Sequence, residues 1–155
     1  MEIIAYTPSG NPHESGCRMV SLEDLIQHSD FLSLHCPLTS ESEGLFGLQQ
    51  FEQMKRSAYL INTSRGGLIV QEDLQTALTL GEIAGAALDV FDPEPPDLSQ
   101  LIFADERVIA TPHAAFVSQQ SLLELRHRVA RQLIAMLLQK QPDHLVNPQI
   151  RSDRT

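Results

Sequence analysis

The sequence is poor in cysteine, in positive charge and in long apolar runs, and each shortage excludes something. Only Cys17 and Cys36 are present. Two cysteines cannot staple a disulfide scaffold, so free thiols in a reducing cytoplasm are expected. Eleven Lys and Arg stand against twenty Asp and Glu, for a net charge of −9. That balance argues against nucleic acid or an anionic membrane as the main partner. No apolar run approaches the ~20 residues that a membrane-spanning helix needs. The opening MEIIAYTPSG has no basic stretch followed by an apolar one, so no signal peptide is expected. Repeats and low-complexity tracts are missing as well.

What remains is an ordinary globular mixture: 155 residues, 42% hydrophobic and 20% charged, a length that suits one domain. Five short apolar runs stand out, Ile3–Tyr6, Phe31–Leu34, Ala58–Ile61, Ala84–Leu88 and Val108–Ala110. They do not alternate apolar with polar residues, which suits strands of a parallel sheet covered on both faces. Helix-like segments lie between them. Ser21 is an N-cap for a short helix carrying Leu22, Leu25 and Ile26. Gln71–Leu80 puts Leu74, Ala77 and Leu78 on one side, and Gly81 stops it. A longer helix is expected from about Ser118 to Gln139, with a capping box from Ser121 and Glu124. Its stripe of Leu122, Leu125, Val129, Leu133 and Met136 is read as core packing. The polar end from Pro142 to Thr155 reads as a tail, mobile over Arg151–Thr155.

Strand alternating with helix is the pattern of an α/β fold with a parallel sheet. Right-handed crossovers place all strand C-termini on one edge, where ligands bind in such sheets. Arg65 follows the third run, Glu94 the fourth and His113 the fifth, so all three project from that edge. Singly, each has an unremarkable reading: a solvated charge, a loop residue between prolines, a locally bonded histidine. Together they are complementary. Arginine offers a planar fork to a carboxylate. Histidine exchanges a proton near neutral pH, and a neighbouring carboxylate fixes its tautomer. Given a hydride carrier, such a set can interconvert an alcohol and a ketone beside a carboxylate.

These residues lie in segments that resemble the D-isomer-specific 2-hydroxyacid dehydrogenases, a family including glycerate, phosphoglycerate, hydroxypyruvate and glyoxylate enzymes. The resemblance is carried by FLSLHCPLT (Phe31–Thr39), LINTSRGG (Leu60–Gly67), GAALDVFDPEPP (Gly85–Pro96) and Thr111-Pro112-His113, in that order. It implies an oxidoreductase acting on the CH–OH group of a D-2-hydroxy acid, with NAD as cofactor and a small 2-hydroxy or 2-keto acid as substrate. Arg65 is similar to the arginine that binds the substrate carboxylate and carbonyl, His113 to the acid/base histidine, and Glu94 to the glutamate that holds it. Asp89 matches an aspartate that contacts the nicotinamide carboxamide. His35, Cys36 and Pro37 lie in the turn that passes the adenosine, and Thr63, Ser64, Arg65 and His113 would line the cofactor. A homodimer, or a complementing chain, is the implied assembly.

The chain also departs from the family. Glycines stand at 10, 16, 44, 47, 66, 67, 81 and 85, and no two are separated by a single residue. The G-x-G-x-x-G loop that brings backbone amides to a pyrophosphate is therefore absent. Thr7 occupies the position where NAD-using relatives often carry an aspartate for the ribose hydroxyls, which leaves NADP as an alternative. The resemblance implies an incomplete Rossmann-like parallel sheet flanked by helices, lacking the first strand and the glycine-rich loop. Residues 1–141 would form a truncated dinucleotide-binding domain and 142–155 its tail. Without the central strand two edges lie open, requiring direct pairing of the halves, strand exchange or partial disorder. Weak dinucleotide binding and little turnover are expected. The alternative is a non-catalytic remnant, or a dinucleotide-sensing or interaction module. Six histidines show no metal-type spacing, and no metal is expected.

Overall fold

The computed structural model describes residues 1–12 and 16–147, so the expectation of a mobile end at Arg151–Thr155 lies outside the described residues. The chain divides into two units, Met1–Ala115 and Phe116–Thr155.

The first unit holds two parallel sheets. Strands β1 (Ile4–Ala5) and β2 (Arg18–Met19) pair with each other in a two-stranded sheet. Strands β3 (Phe31–Leu34), β4 (Tyr59–Asn62), β5 (Gly85–Leu88) and β6 (Val108–Ala110) form a four-stranded sheet in that order. Phe31 is level with Tyr59, and Tyr59 with Gly85. The crossovers are helical: α1 (Leu22–His28), α2 (Leu48–Gln53) and α3 (Gln71–Leu80). Ser21 caps α1 by accepting the Asp24 amide, and Gly81 ends α3 in the left-handed region at φ 73°, both where the sequence places them. Strand β2 and helix α2 have no clear sequence signal. The first is two residues long, and the second buries only Phe51. Here α2 depends on neighbours: the Leu48 amide donates to Asp73 Oδ2 of α3 at 2.9 Å.

Helix residues Ile26, Phe51, Leu74, Ala77 and Leu78 pack with Leu32, Leu34, Leu60, Ala86 and Leu88 of the sheet in one buried core. The expectation that the strands are covered on both faces is corrected. Phe31, Tyr59 and Ile109 are 64%, 43% and 67% exposed, and β3 alternates exposed with buried residues. The helices of this unit supply apolar cover for one face, and on the other Phe31 and Tyr59 stack on each other at 5.6 Å. Among the described residues the two half-sheets are not directly paired: β1 pairs with β2, and β3 with β4.

In the second unit, α4 (Gln119–Leu137) starts at Ser118, whose hydroxyl accepts the Ser121 amide while Ser121 Oγ accepts the Ser118 amide. The capping box thus lies one turn before the one expected; Glu124 instead pairs with Arg128. The core-packing reading of the α4 stripe is also corrected. No residue of α4 is buried, and Leu125, Val129, Leu133 and Met136 are all exposed. Among the described residues of its unit, α4 has no second helix or strand to cover its apolar face.

Candidate active site

The loops that follow β3, β4, β5 and β6 are tied to one another. At the end of β4 the fully buried Asn62 points into its own loop. Its Oδ1 accepts the Ser64 amide at 3.0 Å, and its Nδ2 donates to the Arg65 carbonyl at 2.8 Å. Ser64 Oγ donates to the Cys36 carbonyl at 2.6 Å, joining this loop to the one after β3. Gly66 then meets the β5 loop. A Cβ there would lie 2.1 Å from the Phe91 carbonyl carbon and 2.6 Å from the Asp92 nitrogen, so only glycine permits the approach. Arg65 is exposed, with Nη1 donating to the Ser64 carbonyl.

Glu94 and His113, which the topology puts on one edge, are in contact. His113 Nδ1 lies 2.9 Å from Glu94 Oε2, and Glu94 Oε1 accepts the Phe91 amide at 3.0 Å. The bond with His113 is the main reason the Glu94 carboxyl sits below its ordinary range. The Phe91 amide and the fields of His113 and Arg65 act in the same direction. His113 adopts φ 51°, in the left-handed region that non-glycine residues seldom occupy. Its amide donates to the Asp89 carbonyl at 2.8 Å.

Asp89 is only 3% exposed. Burial is the largest single influence on its carboxyl and opposes ionisation. The Thr111 hydroxyl, the Ala115 and Ala114 amides and the field of His113 together outweigh it, and the carboxyl lies below its ordinary range. Asn62 and Thr111 are the residues that a reading of charged groups passes over. A polar residue at the last position of a buried strand is the signal for Asn62.

The other predicted positions are less integrated. His35 Nε2 lies 2.9 Å from Ser33 Oγ. Pro37 and Thr63 are exposed, and Cys36 is half-buried. Thr7 follows β1, in the separate two-stranded sheet, where its hydroxyl meets Ser9 Oγ at 3.3 Å and its carbonyl accepts the Gly10 amide. The structure therefore brings Glu94 and His113 into contact, holds Arg65 on the adjoining loop, and joins Ser64 to Cys36. It gives Thr7 partners of its own loop. Among the described residues no group of three His, Cys, Asp or Glu could hold a metal ion.

Thr63 is exposed on the β4 loop beside Ser64, whose hydroxyl is taken by the Cys36 carbonyl.

Comparison with known proteins gives the same grouping. Residues 1–115 match the family model described as D-isomer specific 2-hydroxyacid dehydrogenase, NAD binding domain. A glyoxylate reductase of Korarchaeum cryptofilum is 43% identical over 137 residues, which is 88% of this chain and 41% of that protein. A hydroxypyruvate reductase of Blautia hydrogenotrophica is 35% identical over 149 residues, covering 95% of this chain and 46% of the relative. Among solved structures, a D-isomer specific 2-hydroxyacid dehydrogenase from Lactobacillus delbrueckii ssp. bulgaricus in its NAD complexed form superposes with a TM-score of 0.86. It is 30% identical, over 94% of this chain and 48% of that one. The chain thus spans less than half the length of these relatives.

Proposed function

The chain belongs to the D-isomer specific 2-hydroxyacid dehydrogenase family, matching its NAD binding domain, and on that premise we propose that its site interconverts a small D-2-hydroxy acid and the corresponding 2-keto acid. The observation that carries this reading is the His113–Glu94 bond of 2.9 Å, with Arg65 on the next strand-end loop. Glyoxylate and hydroxypyruvate are the proposed substrates, after the names of the relatives. NAD is the proposed cofactor, with NADP as the alternative because Thr7 carries no charge for a ribose.

The residues divide the work by their chemistry. Arg65 binds the substrate carboxylate and directs its carbonyl to the edge. With Nδ1 committed to Glu94, Nε2 is the His113 atom that exchanges the proton. As imidazolium it gives that proton to the carbonyl oxygen during reduction, and as neutral imidazole it removes the hydroxyl proton during oxidation. Glu94 stabilises the imidazolium and fixes the ring. A bound nicotinamide would supply or accept the hydride. Thr63, Ser64 and Asp89 would face its nicotinamide end, and Thr7, His35, Cys36 and Pro37 its adenosine end. We assign the dinucleotide-binding role to residues 1–141, with 142–155 as a tail, the cytoplasm as the compartment, and a homodimer or a complementing chain as the assembly.

The second reading is a dinucleotide-sensing or interaction module without turnover. The test is to follow loss of reduced nicotinamide by the purified chain with glyoxylate or hydroxypyruvate, using NADH and NADPH in parallel. Turnover that Arg65→Ala and His113→Ala both abolish supports the enzyme. Saturable NADH binding without turnover supports the module. Turnover indifferent to both substitutions refutes the roles of Arg65 and His113.

A further inference from the structure

Asp89 grips the turn that carries His113 from both sides. Its Oδ1 accepts the Thr111 hydroxyl at 2.5 Å and the Ala114 amide at 2.8 Å, and its Oδ2 accepts the Ala115 amide at 2.8 Å. Its backbone joins in: the Asp89 carbonyl accepts the His113 amide, and the Leu88 carbonyl accepts the Thr111 amide at 2.9 Å. Every one of these donors lies within two residues of His113. They are uncharged, so the carboxylate is stabilised in its buried position by the turn itself.

This arrangement explains the backbone of His113. A non-glycine residue holds φ 51° only where its surroundings determine it. Released from the bonds at 111, 114 and 115, the turn would relax toward negative φ and swing the imidazole away from Glu94. Glu94 cannot supply that restraint, because it is exposed and bonds His113 at the ring.

We propose that Asp89 is the positioning residue of this site, whose carboxylate clamps residues 111–115 and thereby sets His113 against Glu94. The proposal gives Asp89 work beyond any contact with a nicotinamide, and it rests on the reading of His113 as the proton-exchanging residue. Asparagine has the same shape but only one acceptor oxygen, and its amide would set a donor against a donor in the clamp. Asp89→Asn therefore breaks the clamp without opening a cavity.

The test is NMR on the full chain without cofactor or substrate, for Asp89→Asn and Thr111→Val, each alone and combined with Glu94→Gln. Asp89→Asn is expected to raise amide exchange at Ala114 and Ala115 by roughly tenfold or more, the cost of lost bonds to a charged acceptor. The His113 ring nitrogen shifts, which respond to Glu94→Gln in the parent chain, should cease to respond in the Asp89→Asn background. Amides of Leu60 and Leu74 should keep their protection. Thr111→Val removes one donor and should give a smaller change in the same direction. Unchanged exchange at Ala114 and Ala115, or a His113 ring that still senses Glu94 in the Asp89→Asn chain, overturns the proposal. If Asp89→Asn does not fold, Thr111→Val decides: no change at Ala114 or at the His113 ring refutes the clamp. These readouts need no hydride transfer, so a chain that shows them yet turns over no substrate refutes the proposed reaction and keeps the clamp.

Discussion

The two sheets of the first unit are both parallel, yet they hold their strand-end loops in different ways. In the four-stranded sheet, loops are fastened to each other: Ser64 to the Cys36 carbonyl, Gly66 against Phe91 and Asp92, Asp89 to the turn at 111–115. Beneath them lie Leu34, Leu60, Ala86 and Leu88, all buried. The β1–β2 pair has two-residue strands with no buried position, and the Thr7 turn bonds within itself. The lesson is that the loops of the four-stranded edge are held in a fixed arrangement, whereas Thr7 stands on a local turn. Under the proposed function that edge exchanges the proton and Thr7 bears on the choice of dinucleotide. Preorganised groups carry more catalytic weight than groups that must be ordered on binding.

Substitution can break this contrast or sharpen it. The largest difference is expected in catalysis. Removing an acid/base group typically costs about 10²–10⁴-fold, so His113→Ala should lower kcat/KM by that much. Thr7→Ala should change it severalfold at most, and act mainly on the choice between NADH and NADPH. A loss at Thr7 as large as at His113 would erase the distinction. Next comes stability. Leu60→Ala removes a fully buried side chain and should cost ~2–5 kcal/mol. Ile4→Ala, at a half-buried position in β1, should cost under about 1.5 kcal/mol. Urea unfolding of the two variants, followed by circular dichroism, gives the comparison.

Acid should reach the fastened edge as well. Asp89 and Glu94 have folded-state carboxyls below their ordinary values of 3.8 and 4.5. As pH falls the unfolded chain takes up their protons first, so stability decreases on acidification. The contribution is fully present above the ordinary values and is lost as pH drops through the depressed ones. Urea midpoints from pH 5 downward should fall more steeply for the parent chain than for Asp89→Asn. Equal slopes would mean that the clamp has no electrostatic share. The smallest effect belongs to single loop hydroxyls. Ser64→Ala loses the bond to the Cys36 carbonyl and should cost ~0.5–1.5 kcal/mol. Ser9→Ala in the exposed Thr7 turn should stay within about 0.5 kcal/mol, and thermal melts distinguish the two.

Much of the tightly built sheet was legible as sequence, and little of the loose one. β3 and β6 fall on the expected residues, because their apolar runs coincide with the hydrogen-bonded ladder. β4 and β5 each begin one residue later than their runs, since Ala58 and Ala84 lie just before the strands. Arg18–Met19 has no apolar run to announce it, and its pairing with β1 is a tertiary fact. Strand order alone placed Arg65, Glu94 and His113 on one edge, while the roles assigned to them came from the family resemblance. The clamp was not legible, because Asp89 depends on amides at 114 and 115 that no side-chain pattern encodes. The helix stripe from Leu122 to Met136 shows the opposite failure: periodicity reveals an amphipathic face but not what covers it.

Gly66 has a consequence for anyone who diversifies this chain. In a saturation library screened for folding, position 66 should behave as a near-invariant column, since any side chain starts inside the Phe91 carbonyl. Position 67 should accept little more than alanine, with its Cβ 3.1 Å from the movable Leu38 side chain. Adjacent glycines in one motif would thus leave different substitution profiles, and sequencing the survivors would read out the packing of the two loops without a further structure.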